Sequence, residues 1–277
     1  SQALDIIALP RKTQLVAVVS AIAGVTDALL ALSLTAKQGD VHAVDGDLAL
    51  LHRRHREIVT SIVNRLRVRK TVLQSVAADF EELRTLLHGV ASLKELTLRT
   101  RDFIVARGEQ LSARLVVAGL MSRGIEAEYV EASELIHTDG VFGGAFPVLP
   151  ATDRAIRNRL RPLLRKRRVA VVPGFVGGAP DGAVVTLGRG GSDLTATVLG
   201  RALRAVRITL WKDVPGLMTT DPRVVPNARI VPQLNLREAA ELAYYGAKVL
   251  HPRALIPLTR VAVPVFVRPF ADPTAPG

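Results

Sequence analysis

The chain alternates short apolar runs, rich in β-branched residues, with longer segments in which apolar positions recur at helical spacing. The short runs predict strands buried on both faces at 15–21, 125–130, 169–172, 183–187, 206–211 and 262–267. The longer segments predict helices at 28–34, 47–98, 101–121 (interrupted at Gly108), 153–168, 193–203 and 237–250. Strands that alternate with helices indicate an α/β fold, a three-layer αβα sandwich around a mostly parallel central sheet.

The segments between these elements indicate where a ligand would bind. Loops are expected at 37–46, 142–150 and 215–232, the last with four prolines. Parallel sheets bind ligands beyond the carboxyl ends of their strands, so the loops after residues 172, 187 and 211 are the first candidates.

Composition narrows the classes of partner. The 277 residues carry a net charge of +12, with 30 arginines against 7 lysines, which favours an anionic partner. Basic residues are dense in the predicted helix 153–168, but aromatic residues are only 4% and no nucleic-acid-binding motif occurs, so we expect no nucleic acid as a partner.

No apolar run reaches the roughly 20 residues of a membrane span and no targeting segment is visible, so we expect no membrane association and a cytoplasmic location. The absence of cysteine excludes disulfides and thiolate chemistry.

A glycine-rich turn, Gly188-Arg189-Gly190-Gly191-Ser192-Asp193, follows a predicted strand and opens a predicted helix. Glycines allow close approach of the backbone to a ligand, and the free N–H groups at a helix start favour an anion. Arg189 can hold a carboxylate or phosphate through two hydrogen bonds. A tight turn capped by Ser192 or Asp193 explains the same residues equally well.

Three further segments combine charged residues with loops or helix ends. Segment 211–223 supplies Lys212, Asp213 and Arg223 around two prolines, and segment 245–252 (YGAKVLHP) places Lys248 late in an apolar helix. Segment 107–112 (RGEQLS) places Glu109 beside the predicted helix break. Taken singly, these residues fit solvated loop charges, a favourable lysine at a helix C-terminus and an exposed first-turn glutamate.

Together with SAIAGVT at 20–26, these four segments stand in the order and spacing of the aspartate kinase family, within the amino acid kinase superfamily. The chain resembles that family from about Leu15 to Pro273. The resemblance implies an amino acid kinase domain over 1–270, with an amino-acid-binding lobe at about 1–180 and a nucleotide-binding lobe at about 181–270. No ACT regulatory domain is expected in this chain.

The resemblance implies transfer of the γ-phosphoryl group of Mg²⁺-ATP to the side-chain carboxylate of L-aspartate. It assigns Asp193 and Lys248 to catalysis. It assigns aspartate binding to Thr26, Glu109, Phe175, Arg189, Gly190, Gly191, Ser192 and Asp193. It assigns nucleotide binding to Lys212, Asp213, Met218, Arg223, Lys248 and Val249. No residue is assigned to the metal.

The chain also departs from the family pattern. A Lys-Phe-Gly-Gly-Thr-Ser segment is not found, so we expect the first strand and its phosphate-binding lysine to be missing. Met218 stands where tyrosine is usual and Lys212 where threonine is common. The alternative hypothesis is therefore a catalytically impaired kinase-like domain that binds a ligand or partner. A homodimer, and fusion to ACT or homoserine dehydrogenase domains in a longer parent chain, are compatible with the resemblance.

Overall fold

The structure is a computed structural model that describes residues 2–9, 13–220, 225, 227–245 and 249–276. The helices are α1 Gln2–Ala8, α2 Val25–Gln38, α3 Val41–Ile62, α4 Leu66–Leu93, α5 Leu98–Ser122, α6 Ala132–Leu135, α7 Leu149–Arg165, α8 Gly191–Leu203 and α9 Leu236–Tyr245. The strands are β1 Val16–Val19, β2 Ala127–Tyr129, β3 Val169–Pro173, β4 Val176–Gly178, β5 Val184–Thr186, β6 Ile208–Lys212 and β7 Val265–Pro269. Two short 3₁₀ helices lie at Pro252–Ala254 and Ile256–Leu258.

Parallel pairing dominates the described strands. β3 lies between β1 and β2 and is parallel to both, and β6 pairs in parallel with β7. The exception is the antiparallel pair of β4 and β5. Every residue of β3 is buried, as expected for a strand covered by helices on both faces. The predicted α/β class with mostly parallel strands is confirmed.

Helix α5 connects the helical layer to the sheet. One apolar cluster joins α5 to α2, α3 and α4, with Leu83, Leu87 and Ile104 fully buried in it. On its other side α5 packs against β1, β2 and β3. Residues on both sides of α5 are therefore removed from water. Among the described residues, no helix combines the length and apolar character needed to cross a membrane.

Several predicted boundaries are wrong. The expected loop at 37–46 is mostly helical, because only Gly39, with φ of 90°, and Asp40 separate α2 from α3. Asp40 caps α3 by accepting a hydrogen bond from the backbone N–H of Ala43 at 2.9 Å. The single helix predicted over 47–98 is two helices, broken at 63–65.

One strand and the ends of two helices also differ from the prediction. Strand β4 was not predicted, since its sequence, Val-Gly-Gly, has little of the β-branched character used to find strands. Helix α7 begins at Leu149, inside the segment expected to be a loop. Helix α9 ends at Tyr245, and Val249 lies in a turn, so the predicted helix over 237–250 is too long.

Gly108 does not interrupt a helix. It lies inside the continuous helix α5, where a Cβ atom would stand 3.2 Å from Ala21, 3.3 Å from Val25 and 3.4 Å from Leu29. The glycine allows α2 and the loop before it to approach α5 closely. Its neighbour Glu109 consequently lies in a buried stretch of helix and not in an exposed first turn.

Candidate functional site

The loops that follow β1 and β3 meet the start of α8. The N–H of Gly174, just after β3, donates to the carbonyl of Val19, the last residue of β1, at 2.9 Å. Gly174 also faces Ser192, because a Cβ atom on Gly174 would lie 2.7 Å from the Ser192 Oγ. The carboxyl ends of two parallel strands therefore adjoin the glycine-rich turn, as predicted for a ligand site.

The glycines of the turn are required by its shape. Gly188 and Gly190 have φ of 71° and 70°, a left-handed conformation that favours glycine. Gly191, the first residue of α8, packs so closely that a Cβ atom would lie 2.7 Å from Cδ2 of Phe175. Phe175 itself has φ of 66° and donates its N–H to the Thr195 Oγ1 at 3.1 Å. The turn is thereby fixed against the segment after β3.

Gly190→Ala is expected to lower the free energy of unfolding by about 2 kcal/mol or more. The new methyl group would add left-handed strain and stand 2.4 Å from Cβ of His251. Gly182→Ala is the matched control, since Gly182 also has a positive φ, 83°, but a Cβ atom there would have no neighbour within 4 Å. Chemical denaturation of both variants measures the difference, and equal losses would show that the contact with His251 is unimportant.

Glu109 is a carboxylate held out of water inside α5. It is only 4% exposed, and its Oε1 accepts a hydrogen bond from the Thr26 hydroxyl at 3.3 Å. Its Oε2 is buried without a hydrogen-bond partner in the described part of the chain. Burial raises the pKa of Glu109 to about 7, against the opposing effect of hydrogen bonds from the backbone and from Thr26. Such a carboxylate favours a cationic partner, and Thr26, which was assigned to the same substrate, contacts it.

Asp193 and Lys212 form an ion pair at the amino end of α8. The Lys212 ammonium group, at the carboxyl end of β6, donates to both carboxylate oxygens of Asp193 at 2.8 and 2.7 Å. The two side chains are 14% and 25% exposed. Two residues that were assigned to different ligands thus act on each other, and together they place a fixed charge pair at the edge of the turn.

Arg189 is exposed at the tip of the turn. Within the described residues its guanidinium group has no hydrogen bond or ion pair. Ser192 is partly buried beside Gly174. The free N–H groups at the start of α8 add to the positive potential at this point.

The residues assigned to the nucleotide are more dispersed. Asp213 is exposed just after β6, and Val249 is partly buried in a turn. Met218 is 7% exposed and forms an isolated β-bridge with Ile230. Met218 therefore lies next to Ile230 and is largely shielded from water. Arg223 and Lys248 lie outside the described residues.

Sequence reasoning missed two residues that hold the turn in place. The Arg253 guanidinium group donates to the carbonyls of Leu187, Gly144 and Ala145 at 2.9, 3.2 and 3.0 Å. It also lies 4.0 Å above the ring centre of Phe146. Arg253 thus ties the start of the turn to the loop at 144–146. Its position directly after the YGAKVLHP segment was the available signal.

The second missed residue is Asp102 in α5, which is 1% exposed. Its Oδ2 accepts hydrogen bonds from the backbone N–H groups of Gly143 and Thr186 at 2.7 and 2.9 Å. A buried acid in an apolar helix could have been recognised from its spacing to Glu109. Asp102 fixes β5, and with it the entry to the turn, on the helix that carries Glu109.

The described residues contain no group of three or more histidine and carboxylate side chains that could hold a metal ion. Mg²⁺ in nucleotide sites is held largely by phosphates, with one or two carboxylates from the protein. Asp213, exposed just after β6, fits that limited contribution, whereas both carboxylate oxygens of Asp193 already accept hydrogen bonds from Lys212.

Similar proteins place this geometry in a family. The family model described as the amino acid kinase family matches residues 2–269. Aspartokinase 1, chloroplastic, from Arabidopsis thaliana is 48% identical over 201 residues, 71% of this chain and 35% of its own length. The bifunctional aspartokinase/homoserine dehydrogenase of Haemophilus influenzae is 34% identical over 203 residues, 73% of this chain and 24% of its own length.

A solved structure covers the whole chain. The crystal structure of E. coli aspartokinase III in complex with aspartate and ADP matches it with a TM-score of 0.85 at 32% identity. This chain spans 59% of the length of that protein, so it corresponds to part of its relatives. The match of one family model to almost every residue shows that this chain belongs to the amino acid kinase family.

Proposed function

We propose that this protein transfers the γ-phosphoryl group of ATP to the side-chain carboxylate of L-aspartate, giving 4-phospho-L-aspartate. That reaction is the first step towards lysine, threonine and methionine. The observation that carries the proposal is the buried Glu109 carboxylate with one unpartnered oxygen, on a fold that holds an available arginine at a glycine-rich turn. The similarity to an aspartokinase crystallised with aspartate and ADP supports it.

Recognition of aspartate needs complementary charges. Its ammonium group would bind to Glu109, supported by Thr26, and would replace the missing partner of Oε2. A substrate carboxylate would bind to Arg189 and to the N–H groups at the start of α8, with Ser192 beside them. Phe175, Gly190 and Gly191 would shape the pocket through their close packing.

The chemistry requires charge neutralisation more than proton transfer. The nucleophile is an ionised carboxylate, so no general base is needed, but it must approach an anionic phosphate. Mg²⁺ would neutralise part of the phosphate charge when bound with ATP. Lys212 supplies a cation at the end of β6, and Asp193 holds its ammonium group in position. We assign catalysis to Asp193 and Lys248, and place Arg223 and Lys248 at the phosphates.

The remaining residues and the two lobes are assigned either to the nucleotide or to the amino acid substrate. Asp213, Met218 and Val249 would contact the nucleotide, within a nucleotide-binding lobe at about 181–270. The amino-acid-binding lobe would comprise about 1–180. We also propose a cytoplasmic location and a homodimer. Fusion to further domains is supported by the bifunctional relative, which joins aspartokinase to homoserine dehydrogenase.

Turnover of ATP that depends on L-aspartate tests the proposal. We expect ADP release in a coupled assay and trapping of the acyl phosphate as a hydroxamate by hydroxylamine. N-acetyl-L-aspartate is the matched control substrate, because it keeps both carboxylates but lacks the ammonium group that Glu109 would bind. Binding of ATP and aspartate without turnover would instead support the impaired, ligand-binding alternative. Absence of binding to both would contradict the proposal.

A further inference from the structure

Half of the net charge of the molecule lies in one short segment. Between residues 53 and 70 there are seven basic residues against the single acid Glu57, a net charge of +6 out of +12 for the whole chain. The basic residues are Arg53, Arg54, Arg56, Arg65, Arg67, Arg69 and Lys70. They lie on the second half of α3, the start of α4 and the link between them.

This charge is not compensated within the described part of the chain. None of the seven basic side chains forms an ion pair there, not even with Glu57, and three other acids of α3 and α4 have different partners. Asp45 contacts His88, Asp79 contacts Arg114 and Glu82 contacts Arg107. Four of the cations also lie at or near the amino end of α4, where the helix dipole is already positive and no acid occupies the first turn.

The other basic helix differs in this respect. In α7 and the residues after it, Arg159 and Arg168 bind Glu128 at 2.8 and 3.2 Å, and Arg157 lies 3.8 Å from Asp153. The sequence shows its densest basic run at 153–168, but acidic residues neutralise part of that helix in the structure. The uncompensated charge lies on α3 and α4.

The α3–α4 surface is concave. A groove of about 600 Å³ is lined by Arg56, Arg69 and Lys70 together with His52 and Leu73. A second depression of about 490 Å³ shares Arg56 and Leu73 with it and adds Arg53 and Glu57. Both depressions are open to solvent, so a ligand there would bind at the surface through its charges.

His52 lines this groove, and its ring is packed against α4. Its ring stacks on Phe80 with 4.8 Å between the ring centres. Its Nε2 is buried and has no hydrogen-bond partner in the described part of the chain.

We propose that the α3–α4 groove binds a small anion that carries two or more phosphate groups. Several unpaired guanidinium and ammonium groups around one cavity are suited to phosphate oxygens, which accept multiple charge-assisted hydrogen bonds. Binding there would relieve the mutual repulsion of the cations and the unfavourable dipole at the start of α4. The groove shares no residue with the candidate kinase site.

The test uses inorganic triphosphate as the probe and the whole chain. The groove variant is Arg56→Gln/Arg69→Gln/Lys70→Gln. The control is Arg154→Gln/Arg161→Gln/Arg165→Gln, which removes the same charge from three exposed arginines of α7 that have no ion pair among the described residues. Titration calorimetry is expected to show at least about tenfold weaker binding in the groove variant and less than a twofold change in the control.

A second variant separates this site from the proposed kinase site. Lys212→Met, at the proposed binding site of the ATP phosphates, should leave triphosphate binding to the groove unchanged, whereas it should impair aspartate-dependent turnover. Equal loss in the groove and α7 variants would show non-specific attraction to net charge and overturn the proposal, as would no loss in the groove variant. Thermal unfolding of each variant should show that the fold is retained.

Discussion

Glu109→Gln is expected to raise the KM for L-aspartate by roughly 100-fold, with a much smaller change in kcat. Glutamine keeps the size and the hydrogen bond to Thr26 but removes the negative charge opposite the substrate ammonium group. Removing one partner of a buried, hydrogen-bonded charge pair costs about 2–5 kcal/mol, which corresponds to roughly 30-fold or more. Since the ammonium group does not react, the loss should fall mainly on substrate binding.

The same residue predicts a pH dependence. Burial raises the pKa of Glu109 to about 7, so the carboxyl group is protonated in a large fraction of the free protein below that pH. An ammonium substrate binds the ionised form, and binding therefore releases a proton. The KM for aspartate should fall as the pH rises through about 7, and this step should be absent in Glu109→Gln.

The free energy of unfolding of the ligand-free protein should decrease as the pH rises, although aspartate binding improves over the same range. The carboxyl group has its ordinary pKa of 4.5 when unfolded and a higher one when folded. Between these values the folded state holds more protons, so the free energy of unfolding falls as the pH rises through that interval. Denaturation of the wild type and of Glu109→Gln across pH 4 to 8 measures the difference, which should disappear when the residue cannot ionise.

Glu95→Gln is the control, because Glu95 is exposed and has no side-chain partner among the described residues. It should leave both the KM and its pH profile unchanged. An unchanged KM in Glu109→Gln at pH 8, where the wild-type carboxylate is ionised, would remove Glu109 from substrate binding.

The parts of the fold that depend on local pattern were predictable. The β-branched runs gave β1, β3 and β6 to within a few residues, since a strand buried on both faces has a continuous apolar sequence. The glycine-rich turn was placed correctly before α8, because glycine is needed where φ is positive. These features depend on residues that are neighbours in the sequence.

The features that depend on contacts between residues distant in the sequence were not predictable. Gly108 suggested a helix break, yet the structure uses it to bring Val25 and Leu29 close to α5. For the same reason the RGEQLS segment taken singly fits an exposed Glu109, although in the structure this residue is buried and its burial raises its pKa. The ion pair of Asp193 and Lys212 joins α8 to the end of β6, a contact that no periodicity encodes.

The second large effect is expected when the ion pair of Asp193 and Lys212 is broken. Lys212→Met and Asp193→Asn are each expected to lower kcat by about 100- to 1,000-fold, the range found when one preorganised charged or hydrogen-bonding group is removed from a transition state. In this proposal Lys212 neutralises charge on the phosphate and Asp193 fixes its position. Because the two act as a unit, the double variant should be no slower than the slower single variant.

Stability separates this catalytic role from a merely structural one. Lys212→Met leaves the mostly buried Asp193 carboxylate without its partner and should lower the free energy of unfolding by about 2 kcal/mol. Asp193→Asn/Lys212→Met removes both charges, so it should recover most of that stability while kcat stays low. Lys37→Met, at an exposed lysine of α2, controls for loss of one positive charge. If kcat returned together with stability in the double variant, the pair would serve only to hold α8 against β6.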